Sequence, residues 1–266
     1  AAVGSTGSLN FLVNGFSRGI AGGLAVLPAQ LFGAKDDKRL KKSVGQAIML
    51  CLFFTVLLTA LSVIFTRPVL VLMKTPENII GMADVYIKTI FWGIFATILY
   101  NMCSCVIRAL GDSKTPLYFL ILASFLNIGL DLLFIIVFKW GVFGAAFATV
   151  FSQGVSGVLC VIYALKKYSI LHLSKEDFKP DFSMMGKHLT IGLPMAFQFS
   201  ITAIGTIVLQ SALNTFVSDK IAAYTAGCKV EQLVTQIGPA IGVTMANYAG
   251  QNLGAGRFDR IKKGVT

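Results

Sequence analysis

Charged residues are scarce in this sequence: 13% of the residues are Asp, Glu, Lys or Arg, whereas about 25% is usual for soluble domains. Apolar residues make up 55%, and the mean hydropathy is +0.75. This composition excludes an ordinary soluble domain and indicates a polytopic membrane protein. The net charge of +11 would suggest nucleic acid in a soluble protein, but nearly all of the charged residues lie in short loops. We therefore expect a lipid bilayer and no nucleic acid as partners.

Histidine is almost absent, and the cysteines form no motif. Cys51, Cys103, Cys105, Cys160 and Cys228 lie inside apolar runs, without a CxxC or a neighbouring His pair. We expect small buried side chains there, neither disulfides nor a metal site. The two histidines, His172 and His188, are predicted to be interfacial residues rather than ligands. A membrane hydrolase or acyltransferase would need a nucleophile with a His, or a His/Asp cluster, so we predict no enzyme and no cofactor.

The amino terminus lacks an initiator Met and the basic, apolar and small-residue regions of a signal peptide. The last residue, Thr266, lies just inside a basic loop. The expectation is a fragment of a longer protein, cut at both ends.

Long apolar runs are what the sequence has in quantity. None shows the strict alternation of a barrel strand, so the prediction is an all-α, polytopic helical bundle. A small-residue face, Gly15, Gly19, Gly22 and Gly23, should allow close packing by another helix. Seven spans are predicted, at residues 4–32, 43–66, 85–109, 117–138, 141–165, 187–214 and 219–250.

Basic residues divide unequally between the two sets of loops. The loops at 33–42, 108–116, 166–187 and 257–263 contain sixteen Lys and Arg, and those at 67–84, 139–140 and 215–220 contain four. Basic residues near span ends are retained on the cytoplasmic side, so the first set is predicted to be cytoplasmic.

Residues 117–138 form the most informative span, because Asn127 and Asp131 interrupt an otherwise apolar run. Their spacing of four places both side chains on one helical face. A carboxylate in a bilayer costs about 2.5–3.5 kcal/mol on insertion scales, so its presence calls for a reason. Two interpretations stay open: a polar contact that joins two helices, and a site that handles an ion or proton in an internal cavity.

A repeat relates residues 30–44 to residues 251–265 at a shift of 221 positions. Gln, Gly-Ala, Lys-Lys and Val coincide, with each Gly placed to end a helix at the cytoplasmic side. The two copies are separated by six spans, an even number, so both run across the membrane in the same direction. This predicts a parallel repeat about an axis along the membrane normal.

Six motifs in order resemble the multidrug and toxic compound extrusion (MATE) family. They are the run at 29–37, the loop at 108–116, the pair Asn127 and Asp131, the start of the span at 141–149, the tripeptide Gly192-Leu-Pro, and the second copy of the repeated run, from Gln251 to Gly254. The resemblance implies a twelve-helix transporter fold with two lobes, of which this chain holds the second to eighth helices. The implied divisions are residues 1–165 in the first lobe, a cytoplasmic linker at 166–186, and the first two helices of the second lobe at 187–266.

The resemblance also implies cation-coupled efflux from the plasma membrane. Asp131, Asn127 and Thr149 match the family's coupling site for a proton or Na⁺, and no other metal is expected. Some members carry a Glu where this chain has Thr202, which puts a second cation site in doubt. The prediction is a monomeric antiporter that uses H⁺ or Na⁺ to export amphipathic organic cations; the alternative is a lipid-linked oligosaccharide flippase of the same superfamily.

Polar residues within the other spans are candidates for the substrate cavity. Arg18 lies near the middle of its span, so it either faces a wet cavity or reaches the interface from a tilted helix. Lys229 and Glu231 are two residues apart and cannot face each other on a helix, so they either bind charged substrates or form half of a salt bridge between the lobes. The full set of cavity candidates is Asn14, Arg18, Asn101, Gln198, Lys229 and Glu231.

Overall fold

The computed structural model describes residues 6–73, 75, 77–213 and 237–265, and the regular secondary structure in these ranges is helical. A π-helical turn, Leu133–Val137, continues one helix, and two short 3-10 turns, Ser169–Leu171 and Lys175–Phe178, lie in the linker. The helices are α1 (Gly7–Leu24), α2 (Val26–Gly33), α3 (Asp37–Leu72), α4 (Glu77–Trp92), α5 (Ile94–Ala109), α6 (Lys114–Leu132), α7 (Gly141–Lys167), α8 (Phe182–Leu213), α9 (Ile237–Gly254) and α10 (Phe258–Val265).

Four helical stretches are long and apolar enough to cross a membrane: Asp37–Leu72, Lys114–Val137, Gly141–Lys167 and Phe182–Thr206. The pair Ile79–Trp92 and Ile94–Ala109 makes a fifth span if it is counted as one bent helix. These five agree with predicted spans at 43–66, 85–109, 117–138, 141–165 and 187–214. Most of the predicted span at 219–250 lies outside the described residues.

The predicted span at 4–32 does not form one helix, which corrects the sequence prediction. It is divided between α1 and α2, with the break at Ala25. Pro28 lacks a backbone N–H and its ring crowds the carbonyl four residues earlier, at Leu24, so the α-helical ladder cannot continue through this point. Asn10, Asn14 and Arg18 also make α1 more polar than the other spans.

The predicted span at 85–109 is bent by 42° where α4 meets α5. The bend lies at Gly93, where a methyl group would overlap the side chain of Val150 on α7. Glycine therefore permits both the bend and the close approach of α7. This geometry brings α4 and α5 together onto α7.

The glycine face of α1 packs against α8, as the small-residue pattern predicts. A methyl group on Gly19 would lie 2.5 Å from Ala196 Cα, and one on Gly23 would overlap Gly192 Cα. Because both neighbours are backbone atoms, a larger residue would force the helices apart. Backbone contact of this kind increases dispersion attraction between the two helices, which the surrounding lipid cannot replace.

Both copies of the repeat end their helices with the same hydrogen-bonded turn. In the first copy, the Lys35 N–H donates to Phe32 O (3.1 Å) and the Asp36 N–H donates to Leu31 O (3.1 Å). At the equivalent positions of the second copy, the Gly256 N–H donates to Leu253 O (3.1 Å) and the Arg257 N–H donates to Asn252 O (2.8 Å). α2 ends at Gly33 and α9 at Gly254, as predicted. The sequence repeat is thus a repeat of local structure.

The two copies also contact each other reciprocally. A methyl group on Gly33 would overlap the carbonyl oxygen of Gln251, and one on Gly254 would overlap the carbonyl oxygen of Gln30. At the repeat shift, Gln30 is equivalent to Gln251 and Gly33 is equivalent to Gly254. The Gly of each copy therefore contacts the Gln of the other copy. This is the contact pattern of an approximate two-fold axis between α2 and α9.

The linker between α7 and α8 is held on α3. Gln46, which is fully buried, donates to Asp177 O and Lys179 O (both 2.9 Å) and accepts from the Asp181 N–H (3.0 Å). Lys42 pairs with the Asp181 carboxylate at 2.6 Å, and this hydrogen bond lowers the pKa of Asp181. Polar residues of α3 thus fix the linker where α8 begins.

Two sequence predictions about single side chains have different outcomes. His188 was predicted to be interfacial, but it is fully buried, and its Nε2 lies 3.0 Å from Ser43 Oγ of α3; His172 is exposed. Within the described residues the cysteines are unpaired, with Cys51, Cys105 and Cys160 buried and Cys103 partly buried. Cys228 lies outside those residues.

Candidate functional site

Asn127 and Asp131 lie on the face of α6 that packs against α7. The buried positions of α6 and its π turn follow helical spacing through Pro116, Ala123 and Phe134, and both polar residues are half-buried on this side. The opposite side of α6 is exposed, at Tyr118, Leu122, Phe125, Ile128 and Leu132. The structure therefore places the two polar side chains inside the bundle and away from the surface that faces lipid.

Two polar atoms of this pair are buried without a hydrogen-bond partner among the described residues: Asn127 Nδ2 and Asp131 Oδ1. Buried polar atoms are normally satisfied by protein, water or an ion. A carboxylate oxygen at such a position has the chemistry to bind a proton or a hard cation.

Thr149 lies on α7, the helix against which this face packs, and is half-buried. Its hydroxyl donates to Ala145 O of its own helix at 3.0 Å, which leaves the lone pairs of the oxygen available to a cation. Carboxylate, amide and hydroxyl oxygens are the donor set that suits Na⁺, and the same carboxyl can bind a proton. Within the described residues no cluster of three His, Cys, Asp or Glu could hold another metal.

The π-helical turn begins two residues after Asp131. The Phe138 N–H donates to Leu133 O at 3.0 Å, five residues back, which widens the helix at this point. Such turns occur frequently at functional sites. Phe134, within the turn, forms a ring cluster with Trp140 and Phe147, and its ring is stacked on that of Trp140 at 4.9 Å between centroids. This cluster is an apolar, aromatic surface next to the polar pair.

A second group of polar residues on α4 was missed by the sequence analysis. Lys88 Nζ lies 2.8 Å from Asp84 Oδ2, and Asp84 Oδ1 is buried without a partner in the described part of the chain. The spacing of four between Asp84 and Lys88 is a signal of a helical ion pair that sequence reasoning could have used.

The cavity candidates lie on other helices. Asn14 and Arg18 share a face of α1, where Asn14 Nδ2 donates to Asn10 Oδ1 and Arg18 is exposed. Asn101 is half-buried on α5, and Gln198 is exposed on α8. α1 packs mainly on α8 and α5, and not with the α6 and α7 pair that holds Asp131. Lys229 and Glu231 lie outside the described residues, and Thr202 is exposed on α8.

Asp112, in the loop before α6, fixes the position of α6 against α7. Its carboxylate accepts hydrogen bonds from Thr115 Oγ1 (2.8 Å), Tyr163 OH (2.7 Å) and Lys167 Nζ (3.0 Å). Burial by itself raises the pKa of this carboxyl, but the hydrogen bonds from Tyr163, Thr115 and Lys167 outweigh it and hold the pKa below its usual range. The cluster joins the start of α6 to the end of α7 and so fixes the register of the two helices at this end of the pair.

Comparison with known proteins identifies the family. The MatE family model matches residues 1–133. This chain belongs to the MATE family. It is 33% identical over 270 residues to the probable multidrug resistance protein YoeA of Bacillus subtilis, and 32% identical over 268 residues to YpnP of the same organism. These alignments cover 99% and 98% of this chain, and 58% of each relative.

A solved structure shows the same fold. The outward-facing structure of a multidrug resistance MATE family transporter of the MOP superfamily superposes with a TM-score of 0.89 at 24% identity. The superposition covers 99% of this chain and 59% of that one. The predicted all-helical transporter fold is confirmed, and the chain is a multi-pass plasma membrane protein. The MATE family comprises transporters, which confirms the prediction that the chain is not an enzyme.

Proposed function

We propose that the intact MATE protein is a cation-coupled antiporter, which exports amphipathic organic cations in exchange for H⁺ or Na⁺ by alternating access. The observation that carries this proposal is the half-buried pair Asn127 and Asp131 on the inner face of α6, in which Asn127 Nδ2 and Asp131 Oδ1 are buried and have no hydrogen-bond partner among the described residues. A helix that only spans the bilayer gains nothing from a buried carboxylate and bears its insertion cost. An ion or proton at Asp131 supplies the missing partner.

The coupling cycle follows from the chemistry of the pair. When the cavity is open to the outside, a proton or Na⁺ reaches Asp131 and neutralises its charge. Asn127 lies one helical turn away. Its amide oxygen coordinates Na⁺, or it accepts a hydrogen bond from the protonated carboxyl of Asp131. Neutralisation removes the penalty for burying the carboxylate, so α6 and α7 pack more tightly and the substrate is released. Return of the ion to the cytoplasm restores the charged state.

The substrate class rests on the aromatic cluster and on the relatives. The exposed Trp140, which packs on Phe134 and Phe147, offers a ring face on which flat organic cations stack without strict shape recognition. YoeA and YpnP are named as probable multidrug resistance proteins, which supports drug-like substrates over a lipid-linked oligosaccharide.

The division of the chain supports the alternating-access part of the proposal. Residues 1–165 would belong to one lobe, residues 166–186 to the linker and residues 187–266 to the second lobe. The reciprocal contact of Gly33 and Gly254 lies where the lobes would meet on the cytoplasmic side, and it supports a cytoplasmic end that is closed in this conformation.

The test is dye efflux from vesicles that contain the intact protein, with pH and Na⁺ gradients imposed separately. Efflux that accelerates with one gradient identifies the coupling ion, and collapse of that gradient should stop it. Dye movement at the same rate with neither gradient would show a passive pathway and would refute antiport.

A further inference from the structure

A cavity of about 590 Å³ lies beside the crossing of α2 and α9, on the predicted cytoplasmic side. Both copies of the repeat line it. Phe32, Lys35 and Asp37 come from the first copy, and Gln251, Arg257 and Arg260 come from the second. The coupling pair on α6 is not part of this cavity, so it is a separate feature of the molecule.

Positive charge dominates the lining. The lining contains three cationic side chains, Lys35, Arg257 and Arg260, and one carboxylate, that of Asp37. In the described part of the chain, the ion pairs involve other basic residues, and none of these three cations has a carboxylate partner. Cations that converge on one cavity repel each other, and an anion bound among them would relieve that repulsion.

The backbone at Lys35 has an unfavourable conformation that places this side chain on the cavity wall. Lys35 has a φ of 56°, in the left-handed region, where the second copy has Gly256 with a φ of 69°. A residue with a Cβ is disfavoured in this conformation, and Gly would serve the turn better. The first copy thus keeps a cationic side chain on the cavity wall at a position where the turn alone favours Gly.

Two helices also begin at this cavity. α3 starts at Asp37, and α10 starts at Phe258, directly after Arg257. The amino terminus of α3 is already capped by the Asp36 carboxylate, which accepts a hydrogen bond from the Arg39 N–H (3.1 Å), so of these two helices it is α10 whose partial positive charge adds to that of the side chains. The two arginines can each form paired hydrogen bonds with phosphate oxygens.

We propose that this cavity is a binding site for a phosphate-bearing anion, held by Lys35 from the first copy of the repeat and by Arg257 and Arg260 from the second. The anion therefore bridges the two copies. Its source is either the headgroup of an anionic lipid in the cytoplasmic leaflet or a soluble phosphate compound. The site does not depend on which ion drives transport, because it is separate from Asp131.

The experiment measures binding directly, so that it stands apart from any result on transport. The intact protein is titrated with pyrophosphate in phosphatidylcholine nanodiscs by calorimetry. In a second arm, delipidated protein is exposed to vesicles of phosphatidylcholine with phosphatidylglycerol, and the retained phosphatidylglycerol is counted by native mass spectrometry. The variant is Lys35→Gln with Arg257→Gln and Arg260→Gln. Its control removes the same charge from the same loops, at exposed or half-buried positions that do not line the cavity: Lys38→Gln, Lys41→Gln and Lys263→Gln.

The cavity variant should bind at least about tenfold more weakly than the control in one of the two arms, because each lost cation weakens anion binding several-fold. The arm that responds identifies the source of the phosphate. Lys35→Gln alone should also weaken binding, since the anion bridges both copies. Equal losses in the control and the cavity variant would show diffuse attraction to basic loops and overturn the proposal. Binding that is unchanged in the cavity variant, or absent from the wild-type protein in both arms, would also overturn it.

Discussion

Asp131 is the residue on which ion coupling should depend. Asp131→Asn removes the titrating group at nearly constant volume, so the protein should insert normally while gradient-driven efflux fails. Asn127→Ala should reduce coupling less, because the carboxyl remains. Efflux in vesicles, corrected for the amount of protein inserted, measures both effects.

The matched control is Asp259→Asn, which changes an exposed carboxyl on α10 in the same way. Its efflux should equal that of the wild type. Normal gradient-driven efflux by Asp131→Asn would instead reduce the Asn127 and Asp131 pair to a polar contact between helices.

Asp112 should stabilise the α6 and α7 pair over the whole physiological pH range. Its folded-state pKa is below the usual Asp value of about 3.9, so its contribution is fully present above that value and is lost as the pH falls through the lowered pKa. Asp112→Asn should cost about 1.5–3 kcal/mol, the range for hydrogen bonds to a charged group. Thermal unfolding in detergent should show a constant difference from the wild type between about pH 5 and 8 and a smaller one below about pH 4.

Glu176→Gln is the control for this pH series, since Glu176 pairs with Lys179 at the exposed surface of the linker. Surface pairs contribute little, so its unfolding should match the wild type within error. A difference for Asp112→Asn that grows as the pH falls toward 4 would contradict the assignment.

At the scale of helices, Gly33 and Gly254 should control how closely α2 and α9 approach. Gly33→Ala or Gly254→Ala places a methyl group against a backbone carbonyl, which cannot rotate away. The cytoplasmic ends should separate, and transport should fall. Spin labels at Lys38 and Asp259, two exposed positions that are equivalent in the repeat, should report a longer distance after the native cysteines have been replaced.

Gly186→Ala on α8 is the control, because a methyl group there meets no atom within 4 Å. The Lys38 to Asp259 distance should stay at its wild-type value in this variant. An unchanged distance in the Gly33 and Gly254 variants as well would show that the two helices do not need their close contact.

Gln46 should hold the linker on α3. Gln46→Ala removes the side chain that bonds to Asp177, Lys179 and Asp181, and leaves those backbone groups without their partner. Limited trypsin digestion should then cut the linker after Lys175 several times faster, since local opening exposes the chain to protease. Gln198→Ala changes an exposed glutamine on α8, and its digestion should be that of the wild type.

For the whole molecule, the distribution of basic loops predicts one orientation in the bilayer. Cys introduced at Lys175 should resist an impermeant reagent added outside intact cells, whereas Cys introduced at Lys139 should react. Both positions are exposed, so a difference in labelling reports sidedness rather than burial. Labelling of the Lys175 position from outside would invert the predicted topology.

Much of this protein could be predicted from local patterns in its sequence. The scarcity of charge identified a membrane protein, and the apolar runs located five of the spans. Helical spacing placed Asn127 and Asp131 on one face, and the shift of 221 residues found the repeated turn. These properties depend on composition, on a period of about 3.6 residues and on the residues that end a helix. Each of them can be recognised in a short segment of the sequence.

Tertiary structure decided the rest. Only packing shows that Gly19 and Gly23 meet α8, that Gly93 bends against Val150, and that His188 is buried beside Ser43. The cavity at Lys35, Arg257 and Arg260 also joins residues more than 200 positions apart. Such contacts arise from the shapes of surfaces that meet in three dimensions. A helical period specifies which residues share a face, but the partner of that face is set by close packing between distant parts of the chain.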